Sequence, residues 1–577
     1  MRKKAVIWGT GRIGRGFAAD VFRQANYDLI FWDSDQSLLR RMREKGQYSI
    51  LKLGAEQGDA ATIISDYAVY TQDQVEAFDR AAAAADVIAI CVFPKVFPDV
   101  AAHLAEILRR RQKETDAPID VVILANMPRS GEAFAECLRA NMDKTLREYA
   151  DKSVGVDEAI VIRMAVTATP EMLEKDDLVV ATNGYPKLYI DAETFKGERP
   201  ACDGIEWISN CKAWEQRKLY TYNMVHAVFA YMGPHRGCRT VCDCMEDEVL
   251  REIADNALGE VGEALCLAFG FSPEQVDSWN EDCKKNMQNA YLNDQLTRVG
   301  MDPVRKLKAG DRLAGAALLC KQMGVMPYWL TKAIAYALLY RNPADAASKT
   351  VVDRVSEVGA KRAAVEFCGF EKEPELAQLV SDRYMEAVDD PAGALHENRA
   401  LVKLYQKAWN CGFAGERDIR ACAQGTLYAA KESMRIFEEA AFNAATAFSA
   451  GMGMCGDGPC GGYSGGLMLI GGLHSRTLKD FQAKDKTQLY KSFELAQKLH
   501  DLFVACYGGI RCMDVHHSIY DRAYILRNAE DKAVFEDVGA HRDKCTTVIA
   551  MTQYWLLRVL AECDAEVLNA LLERQDK

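Results

Sequence analysis

The chain has 577 residues, of which 49% are hydrophobic and 27% charged, a composition typical of a folded globular protein. At roughly 100–200 residues per domain, this length predicts about three domains. The formal charge of -12 argues against a nucleic-acid partner, because phosphate binding needs a basic face. Apolar runs such as residues 467–473 fall short of the roughly 20 residues that span a bilayer, so no membrane partner is expected.

The amino terminus and the cysteine content indicate the compartment. Residues 1–11, MRKKAVIWGTG, pass directly from charged residues to a short apolar run and a glycine turn, without the long apolar segment of a secretory signal. The 19 cysteines are therefore expected to be reduced thiols, many of them simply small buried residues. We expect a cytoplasmic protein.

A strand, a glycine turn and a helix open the chain. The apolar run 5–8 is followed by Gly9, Gly11 and Gly14 in the spacing G-x-G-x-x-G, and then by the helix-compatible stretch 17–24. The first glycine permits a tight turn, the second lets the backbone approach a pyrophosphate, and the third lets helix and strand pack closely. The pattern predicts a dinucleotide-binding turn in a parallel α/β sheet.

An acidic residue follows the glycines at the distance typical of NAD sites. A second apolar run, residues 27–32, ends in Asp33, whose carboxylate can accept hydrogen bonds from ribose hydroxyls and would repel a 2′-phosphate. NAD is therefore favoured over NADP; the alternative is a glycine turn with a solvated acidic loop. With further strands at 85–92 and 121–124, we predict a Rossmann-type domain over residues 1–200. The predicted cofactor-binding residues are Gly9, Gly11, Arg12, Ile13, Gly14 and Asp33.

A lysine, an asparagine and a histidine follow in one stretch of helical pattern. Residues 215–233, EQRKLYTYNMVHAVFAYMG, place Lys218, Asn223 and His226 at positions i, i+5 and i+8, near enough in angle on one helix to face one pocket. A desolvated Lys218 suits a general base for alcohol oxidation, while the amide and the imidazole hold the oxygen as charge develops. The alternative is an amphipathic helix with a core histidine.

Three segments carry a resemblance to a known family. KLYTYNMVHA, which contains K-x-x-x-x-N-x-x-H, is similar to the signature of the polyol-specific long-chain dehydrogenases, the mannitol dehydrogenase family. GTGRIGRGF resembles the opening of the mannitol-1-phosphate 5-dehydrogenase branch of that family. RVGMDPVRKL and GDRL, within residues 298–313, resemble a third family segment, so the resemblance covers about residues 1–385.

The resemblance implies an NAD-dependent dehydrogenase that works without a metal. It also implies a mostly helical substrate domain, which we predict over residues 201–387. Matching positions make Lys218 the base and imply that Asn126, Asn223 and His226 contact or orient the substrate.

Basic residues near the RVGMDP segment bear on whether the substrate is phosphorylated. Arg305 and Lys306, with Lys308 and Arg312 nearby, supply cations for a phosphate group; the alternative is a solvated basic loop. A phosphorylated polyol or ketose is favoured by analogy with the family branch. The sequence departs from the family at Ile162, where an acidic residue is usual, so the exact substrate stays open.

The carboxy-terminal part is predicted as a mostly helical domain over residues 388–577, entered by an acidic, proline-containing stretch. Its segments ACAQG, PCGGYSGG, IRCMDVHHSIYDRAY and DKC resemble, in order, the cysteine positions of a proposed redox-active family named for its C_GCAxxG_C_C pattern. The resemblance implies that four cysteines converge, either to cycle between dithiol and disulfide or to hold a metal or cluster. The alternative is a helical domain with buried cysteines that stabilises or dimerises the dehydrogenase. The four residues are Cys422, Cys460, Cys512 and Cys545.

The expected fold is an α/β Rossmann-type domain followed by a mostly α-helical substrate domain and a mostly α-helical cysteine-containing domain. The leading hypothesis is an NAD(H)-dependent oxidoreductase that interconverts a polyol (phosphate) and a ketose (phosphate), of the mannitol 1-phosphate and fructose 6-phosphate kind. One alternative is an NADH-binding redox sensor or electron-transfer protein; another is a dehydrogenase of an unphosphorylated polyol or sugar acid. The expected partner is a small-molecule substrate, and the oligomeric state is left open.

Overall fold

The structure, a computed structural model, describes residues 2–54, 60–125, 127–200 and 202–575. The chain divides into two compact units, Met1–Lys218 with Lys285–Asn293, and Leu219–Lys284 with Asp294–Lys577. The first unit holds the sheets, and the second is helical. The predicted domain boundaries near residues 200 and 387 stay predictions.

The strands of the described ranges all lie in the first unit. They are β1 (Lys4–Trp8), β2 (Asp28–Trp32), β3 (Gln47–Lys52), β4 (Ala60–Ser65), β5 (Ala68–Val69), β6 (Val87–Ile90), β7 (Ile119–Ile123), β8 (Val154–Ile160), β9 (Ala165–Val166), β10 (Val180–Thr182), β11 (Leu188–Asp191) and β12 (Ile205–Ile208).

These strands form an eight-stranded sheet in the order β12-β11-β8-β7-β6-β1-β2-β5 and a four-stranded sheet in the order β4-β3-β10-β9. The larger sheet is parallel from β5 to β8, and β11 then runs antiparallel to β8. The strand order reverses between β1 and β6, which is where open parallel sheets bind their ligands. The predicted Rossmann-type sheet is confirmed.

Burial on both faces of the sheet explains why its strands read as continuous apolar runs. Val6 and Trp8 of β1 pack into the core on one face, while Ala5 and Ile7 pack into the core on the other. All four side chains are at most 5% exposed. A parallel strand covered on both faces has no solvent side on which polar residues could alternate.

Helices cover the sheet and build the second unit. Up to residue 220 they are α1 (Ala19–Gln24), α2 (Gln36–Lys45), α3 (Val75–Ala83), α4 (Phe97–Glu114), α5 (Ser130–Ala140), α6 (Lys144–Ser153), α7 (Pro170–Lys175) and α8 (Cys211–Tyr220). The next group is α9 (Tyr222–Met232), α10 (Val241–Glu246), α11 (Glu248–Phe269), α12 (Pro273–Met287), α13 (Leu296–Val299), α14 (Pro303–Lys306), α15 (Ala314–Met323), α16 (Tyr328–Leu339), α17 (Ala346–Cys368) and α18 (Pro374–Ala387). The last group is α19 (Arg399–Ile419), α20 (Cys422–Met434), α21 (Glu439–Ala444), α22 (Ser449–Met452), α23 (Gly461–Leu473), α24 (Leu478–Gln482), α25 (Thr487–Tyr507), α26 (Cys512–Tyr520), α27 (Ala529–Asp537), α28 (Cys545–Cys563) and α29 (Ala565–Glu573).

A buried arginine joins three helices of the second unit. Arg383 of α18 is 4% exposed, and its guanidinium donates to the hydroxyl of Tyr328 in α16 at 2.8 Å. It also donates to the hydroxyl of Tyr554 in α28 and pairs with Glu386 at 2.7 Å. Because a buried charge is tolerated only with such partners, these contacts tie α28 to the helices that precede residue 388.

A buried glutamate makes a second connection of this kind. The carboxylate of Glu260 in α11 accepts the backbone N–H groups of Trp329 and Leu330, at 3.0 and 3.3 Å, at the start of α16. It also accepts the side-chain amide of Gln406 in α19 at 3.0 Å. Burial raises the pKa of Glu260 to about 8 against these hydrogen bonds. None of the described helices combines the length and the apolar character needed to cross a bilayer.

Candidate active site and cysteine cavity

The glycine turn at the end of β1 is built as the motif predicts. Gly9 has φ +102°, and a Cβ atom there would lie 2.6 Å from the carbonyl oxygen of Cys91. A Cβ on Gly14 would lie 1.9 Å from the carbonyl oxygen of Gly9. A Cβ on Gly11, by contrast, would meet no described atom within 4 Å. Gly9 and Gly14 are needed for the turn itself, whereas Gly11 borders open space that a pyrophosphate would fill.

The acidic residue after β2 is held against this turn. The Asp33 carboxylate accepts hydrogen bonds from the backbone N–H and the hydroxyl of Thr10, the latter at 2.9 Å. Asp33 and Ile13 are half-buried, and Arg12 is exposed. The turn lies beside the reversal between β1 and β6, so the chain's own residues fit the adenosine and pyrophosphate parts of NAD.

The predicted single helix over residues 215–233 is two helices in the structure. α8 ends at Tyr220 and α9 begins at Tyr222, with Thr221 between them at φ −112° and ψ −82°. The Thr221 hydroxyl accepts a hydrogen bond of 2.8 Å from the indole N–H of Trp279. The prediction of one continuous helix was therefore wrong, and an angular argument across the three catalytic candidates does not hold through this break.

Lys218, half-buried near the end of α8, lies near the carboxyl group of Glu215. Glu215 stands one helical turn before it, and Glu158 lies on β8. Burial and the hydrogen-bonded Glu158 raise the pKa of Glu215 to about 8, while the charge of Lys218 acts in the opposite direction. Glu215 also accepts the backbone N–H of Arg129 at 2.9 Å. A carboxyl group that keeps its proton near neutral pH beside a lysine can exchange protons with it.

Glu158 is fixed by the helix that follows β7. One of its oxygens accepts the backbone N–H of Ser130 at 2.7 Å and the Ser130 hydroxyl at 3.0 Å, at the amino-terminal end of α5. These bonds hold the carboxyl pair in place beside the catalytic candidate on α8. Asn126, between β7 and α5, lies outside the described residues, so its contact with the substrate stays a prediction.

His226 of α9 is oriented by both ring nitrogens. Its Nδ1 donates to the carbonyl oxygen of Tyr222 at 2.9 Å, and its Nε2 lies 3.5 Å from Oδ2 of Asp294. Burial raises the pKa of Asp294, but the hydrogen bond with His226 and the charges of His226 and Arg298 outweigh it and lower that pKa. Asp294 is thus a carboxylate that fixes the imidazole ring. Asn223, three residues before His226, is half-buried.

The two residues predicted to bind a phosphate have different surroundings. Lys306 is 6% exposed, and its Nζ donates to the carbonyl oxygen of Val299 at 2.6 Å. Burial and the neighbouring arginines lower the pKa of Lys306 to about 8. Arg305 is half-exposed and contacts the carboxylates of Asp302 and Asp311 at 3.1 and 3.2 Å. To bind a phosphate, both cations would have to exchange these partners.

Ile162, where the family usually has an acidic residue, is 3% exposed. The next residue, Arg163, is 2% exposed and pairs with Asp20 at 2.6 Å, with its guanidinium over the ring of Phe17. This stretch is therefore packed into the interior of the first unit, and Arg163 supports that unit rather than presenting a free cation.

The four cysteines of the carboxy-terminal pattern line one cavity of about 400 Å³ in the second unit. Cys422, Cys512 and Cys545 are the first residues of α20, α26 and α28, and Cys460 caps the amino-terminal end of α23. Nε2 of His516, one turn along α26, lies 3.5 Å from Sγ of Cys512, and burial lowers the pKa of His516 to about 4. The fold thus brings the four thiols and a neutral imidazole together.

Several acidic residues of these sites were not anticipated from the sequence. Glu215 was the one that could have been found, because it precedes Lys218 by one helical turn and shares its face. Glu158, Asp294 and Glu416, which lines the cysteine cavity, come together with their partners only through the fold. No motif spacing marks such contacts.

Three family matches cover the chain. The Mannitol dehydrogenase Rossmann domain matches residues 3–204, and the Mannitol dehydrogenase C-terminal domain matches residues 210–406. The C_GCAxxG_C_C family, whose members are proposed to be redox-active, matches residues 420–559. Curated relatives include the mannitol-1-phosphate 5-dehydrogenases of Oceanobacillus iheyensis and Bacillus pumilus, both 29% identical. These matches cover 66% and 65% of this chain and 98% of each relative.

Solved structures with a similar fold include D-sorbitol dehydrogenase in its substrate-free form, 15% identical with a TM-score of 0.60 over 68% of this chain and 95% of that one. Pseudomonas fluorescens mannitol 2-dehydrogenase, in a ternary complex with NAD and D-mannitol, is 16% identical with a TM-score of 0.54. That likeness covers 70% of this chain and 95% of the other. At these identities the likeness concerns the fold. Through its two matching domains over residues 3–406, the chain belongs to the mannitol dehydrogenase family, and it carries a C_GCAxxG_C_C domain behind them.

Proposed function

We propose that this NAD-dependent dehydrogenase interconverts a polyol phosphate and a ketose phosphate, of the mannitol 1-phosphate and fructose 6-phosphate kind. The relatives named above are mannitol-1-phosphate 5-dehydrogenases, and the match to this chain extends over nearly the whole length of each. When bound, NAD accepts the hydride from the alcohol carbon, and the reverse reaction uses the same groups. The proposed compartment is the cytoplasm, where thiols stay reduced.

The glycine turn supports the cofactor assignment. The open space beside Gly11 admits a pyrophosphate, and its negative charge would be stabilised by the helical turn Gly14–Ala18, which leads into α1. Asp33 stands where it would accept the ribose hydroxyls, and its carboxylate would repel a 2′-phosphate. The proposed cofactor is therefore NAD rather than NADP.

The observation that carries the proposed chemistry is the placement of Lys218 near the carboxyl group of Glu215, which is hydrogen-bonded to Glu158. We assign Lys218 as the general base that removes the hydroxyl proton of the alcohol. In its ionised form Glu215, whose pKa is about 8, then takes the proton from the lysine, so that the base is restored without waiting for bulk water. In the carbonyl-reducing direction the proton follows the opposite course.

Asn223 and His226 are assigned to the reacting oxygen. An amide N–H and an imidazole are donors that stabilise the partial negative charge of an alkoxide or a carbonyl in the transition state. Because Nδ1–H of His226 is held by the carbonyl oxygen of Tyr222, only Nε2 can donate to the reacting oxygen, and to do so it would have to exchange its contact with Asp294. Asn126 is assigned to the same oxygen by its match to the family pattern.

A second candidate is a dehydrogenase of an unphosphorylated polyol or a sugar acid. One observation favours it, namely that Lys306 and Arg305 already donate to protein oxygens. A substrate phosphate would have to compete with these bonds. A panel of phosphorylated and free ketoses decides between the two candidates.

The carboxy-terminal domain is assigned a redox or metal-binding role through Cys422, Cys460, Cys512 and Cys545. Their position around one cavity supports this role over that of a stabilising or dimerising domain. If the chain were instead an NADH-binding redox sensor, the domain would respond to NADH while Lys218 would be dispensable.

The test is NADH oxidation by the full-length protein with fructose 6-phosphate and with free fructose. Lys218→Ala is expected to lower kcat about 10³-fold while NADH binding is unchanged, because the lysine acts on the substrate and not on the nucleotide. Lys212→Ala, an exposed lysine on the same helix, is the matched control and should keep full activity. Substantial turnover by Lys218→Ala would rule out the assigned base. If no ketose is reduced although NADH binds, that result would favour the hypothesis of an NADH-binding redox sensor.

A further inference from the structure

The four cysteines of the cavity fall into two groups, according to the groups that contact their sulfur atoms. Nε2 of His516 lies 3.5 Å from Sγ of Cys512. The Nδ1 atom of the same ring accepts the backbone N–H of Tyr524 at 3.4 Å, so Nε2 carries the proton and donates to the sulfur. The Tyr520 hydroxyl lies 3.6 Å from Sγ of Cys545. These two thiols therefore each have a polar side chain as a partner.

The sulfur atoms of Cys422 and Cys460 accept backbone N–H groups instead. The N–H of Ala450 donates to Sγ of Cys422 at 3.3 Å. Burial raises the pKa of Cys460 to about 11, while the N–H groups of Gly462 and Tyr463, in the first turn of α23, bond its sulfur and act in the opposite direction. Backbone donors of this kind favour the thiolate, which is the nucleophilic form of cysteine.

Cys422 also packs closely against the start of α23, where Cys460 lies. A Cβ atom on Gly461, the residue after Cys460, would lie 2.2 Å from Sγ of Cys422. Only a residue without a side chain admits the thiol at this place. Burial raises the pKa of Cys422, and the charges of Glu416 and Cys460 raise it further. The two thiols are therefore neighbours and form the pair best suited to a disulfide.

A buried carboxyl group lies among these thiols. Glu416 of α19 lines the cavity and is 2% exposed, and its Oε2 has no hydrogen-bond partner among the described residues. A Cβ atom on Gly425 would lie 3.4 Å from this oxygen, which therefore faces the first turn of α20, the helix that begins at Cys422. The other oxygen, Oε1, lies 3.3 Å from Nδ1 of His541. Buried polar atoms are almost always paired, so an acceptor oxygen without a partner is available for a proton.

The charge of Glu416 acts on all four thiols. After burial, it is the largest cause that raises the pKa of Cys422 and Cys545, and it also raises the pKa of the other two cysteines. Burial in turn raises the pKa of Glu416 above its usual range, against its contact with His541. A carboxylate with a raised pKa is a better proton acceptor. A thiol that gives its proton to Glu416 also removes the charge that opposes its own ionisation.

We propose that Glu416 is the proton acceptor of a dithiol–disulfide reaction in which Cys422 and Cys460 reduce a small disulfide that enters the cavity. This inference rests on the redox role proposed above for the domain and names its substrate class. The volume of about 400 Å³ suits a small organic compound, and the exposed lining residues Arg420 and Lys532 mark the side that is open to solvent. Among the described residues, no group of three or more His, Cys, Asp or Glu side chains is arranged to hold a metal ion, which favours the redox role.

The reaction transfers two electrons in two steps. The Cys460 thiolate attacks one sulfur of the small disulfide, whose S–S bond breaks, and the first small thiolate leaves with the proton of Cys460. Cys422 then gives its proton to Glu416, directly or through one water molecule, and its thiolate attacks Sγ of Cys460. The bond between the two cysteines forms, and the second small thiolate leaves with the proton from Glu416. Two cysteine thiols are oxidised, and one small disulfide is reduced to two thiols.

The first test is oxidation of the reduced full-length protein by bis(2-hydroxyethyl) disulfide without air. We expect one disulfide among the lining cysteines, and peptide mass spectrometry should place it between Cys422 and Cys460. Cys455→Ser removes an exposed cysteine that does not line the cavity, and this variant should gain the same disulfide at the same rate. A disulfide between another pair of lining cysteines would overturn the proposal and leave the redox role. If no disulfide forms, the redox role fails as well.

The second test measures the two steps separately. Glu416→Gln keeps the size of the side chain but cannot take a proton, so the second step should slow about 100-fold at about pH 7. The mixed disulfide of Cys460 with the reagent should then accumulate, as it should in Cys422→Ser. Glu416→Asp, which keeps a carboxylate, should resolve the mixed disulfide faster than Glu416→Gln, an order that a merely structural role would not produce.

Glu432→Gln is the matched control, because it removes an exposed carboxylate of α20 that does not line the cavity. It should form the disulfide between Cys422 and Cys460 at the normal rate without accumulating the mixed disulfide. Normal resolution in Glu416→Gln, or equal slowing in Glu416→Asp and Glu416→Gln, would overturn the proposal. The disulfide in the unaltered protein would in that case still support a redox domain, so the two failures are distinguishable.

Discussion

The nucleotide-binding turn and the cysteine cavity differ in how the sequence encodes them. Gly9, Gly11 and Asp33 lie in one strand-turn-helix-strand segment, so the site is local. The four cysteines of the cavity come from four helices that meet only in the folded second unit. A local site depends on the backbone of its own turn, whereas a dispersed site depends on the packing of everything that brings its parts together.

The largest expected effect comes from a substitution that disrupts the packing on which the cysteine cavity depends. Arg383→Ala should destabilise the protein by about 3 kcal/mol, because it leaves Glu386 and two buried hydroxyls without their partner. Arg362→Ala, whose side chain is exposed and pairs with Glu366, should change stability by less than about 0.5 kcal/mol. Urea unfolding at equilibrium measures both. A loss below about 1 kcal/mol for Arg383→Ala would mean that its contacts contribute little to the packing of α28 against α16 and α18.

The second prediction tests whether the nucleotide site is local. Gly11→Ala should weaken NADH binding about 100-fold while the melting temperature stays unchanged, because its Cβ meets only the space proposed for the pyrophosphate. Gly14→Ala should lower stability as well, since its Cβ would collide with the backbone of Gly9. Gly259→Ala, on an open face of α11, is the control for the substitution itself. NADH fluorescence titration and thermal melting give the readouts, and normal NADH binding by Gly11→Ala would place the pyrophosphate elsewhere.

The smallest effect concerns the pH dependence of turnover. Because the pKa of Glu215 is about 8, kcat/KM for alcohol oxidation should rise about tenfold between about pH 7 and pH 9 as this group becomes able to accept a proton. Glu215→Gln should abolish that step while NADH affinity is kept. The folded-state pKa lies above its usual value of 4.5, so this group also makes stability fall as pH rises from 4.5 to about 8, and Glu215→Gln should reduce that fall. An unaltered pH profile in the variant would remove Glu215 from the proton path.

Sequence reasoning succeeded where neighbours along the chain are also neighbours in space. The glycine spacing and Asp33 predicted a parallel sheet and its turn, both of which the structure has. It failed at Thr221, where the helix breaks and the threonine hydroxyl accepts a hydrogen bond from the indole of Trp279, a residue far along the chain. The pairing of His226 with Asp294 escaped prediction for the same reason. Side-chain contacts between distant segments are set by tertiary packing, which a periodicity does not record.

The helix α19 joins the dehydrogenase part of the chain to the cysteine-containing domain. The match to the dehydrogenase family ends at residue 406, inside α19 (Arg399–Ile419), and the match to the cysteine family begins at residue 420, where that helix has just ended. The junction between the two family domains is therefore a continuous helix and not a flexible linker. A tether would let each module move and be exchanged freely, but a shared rigid element transmits any rotation of one module to the other.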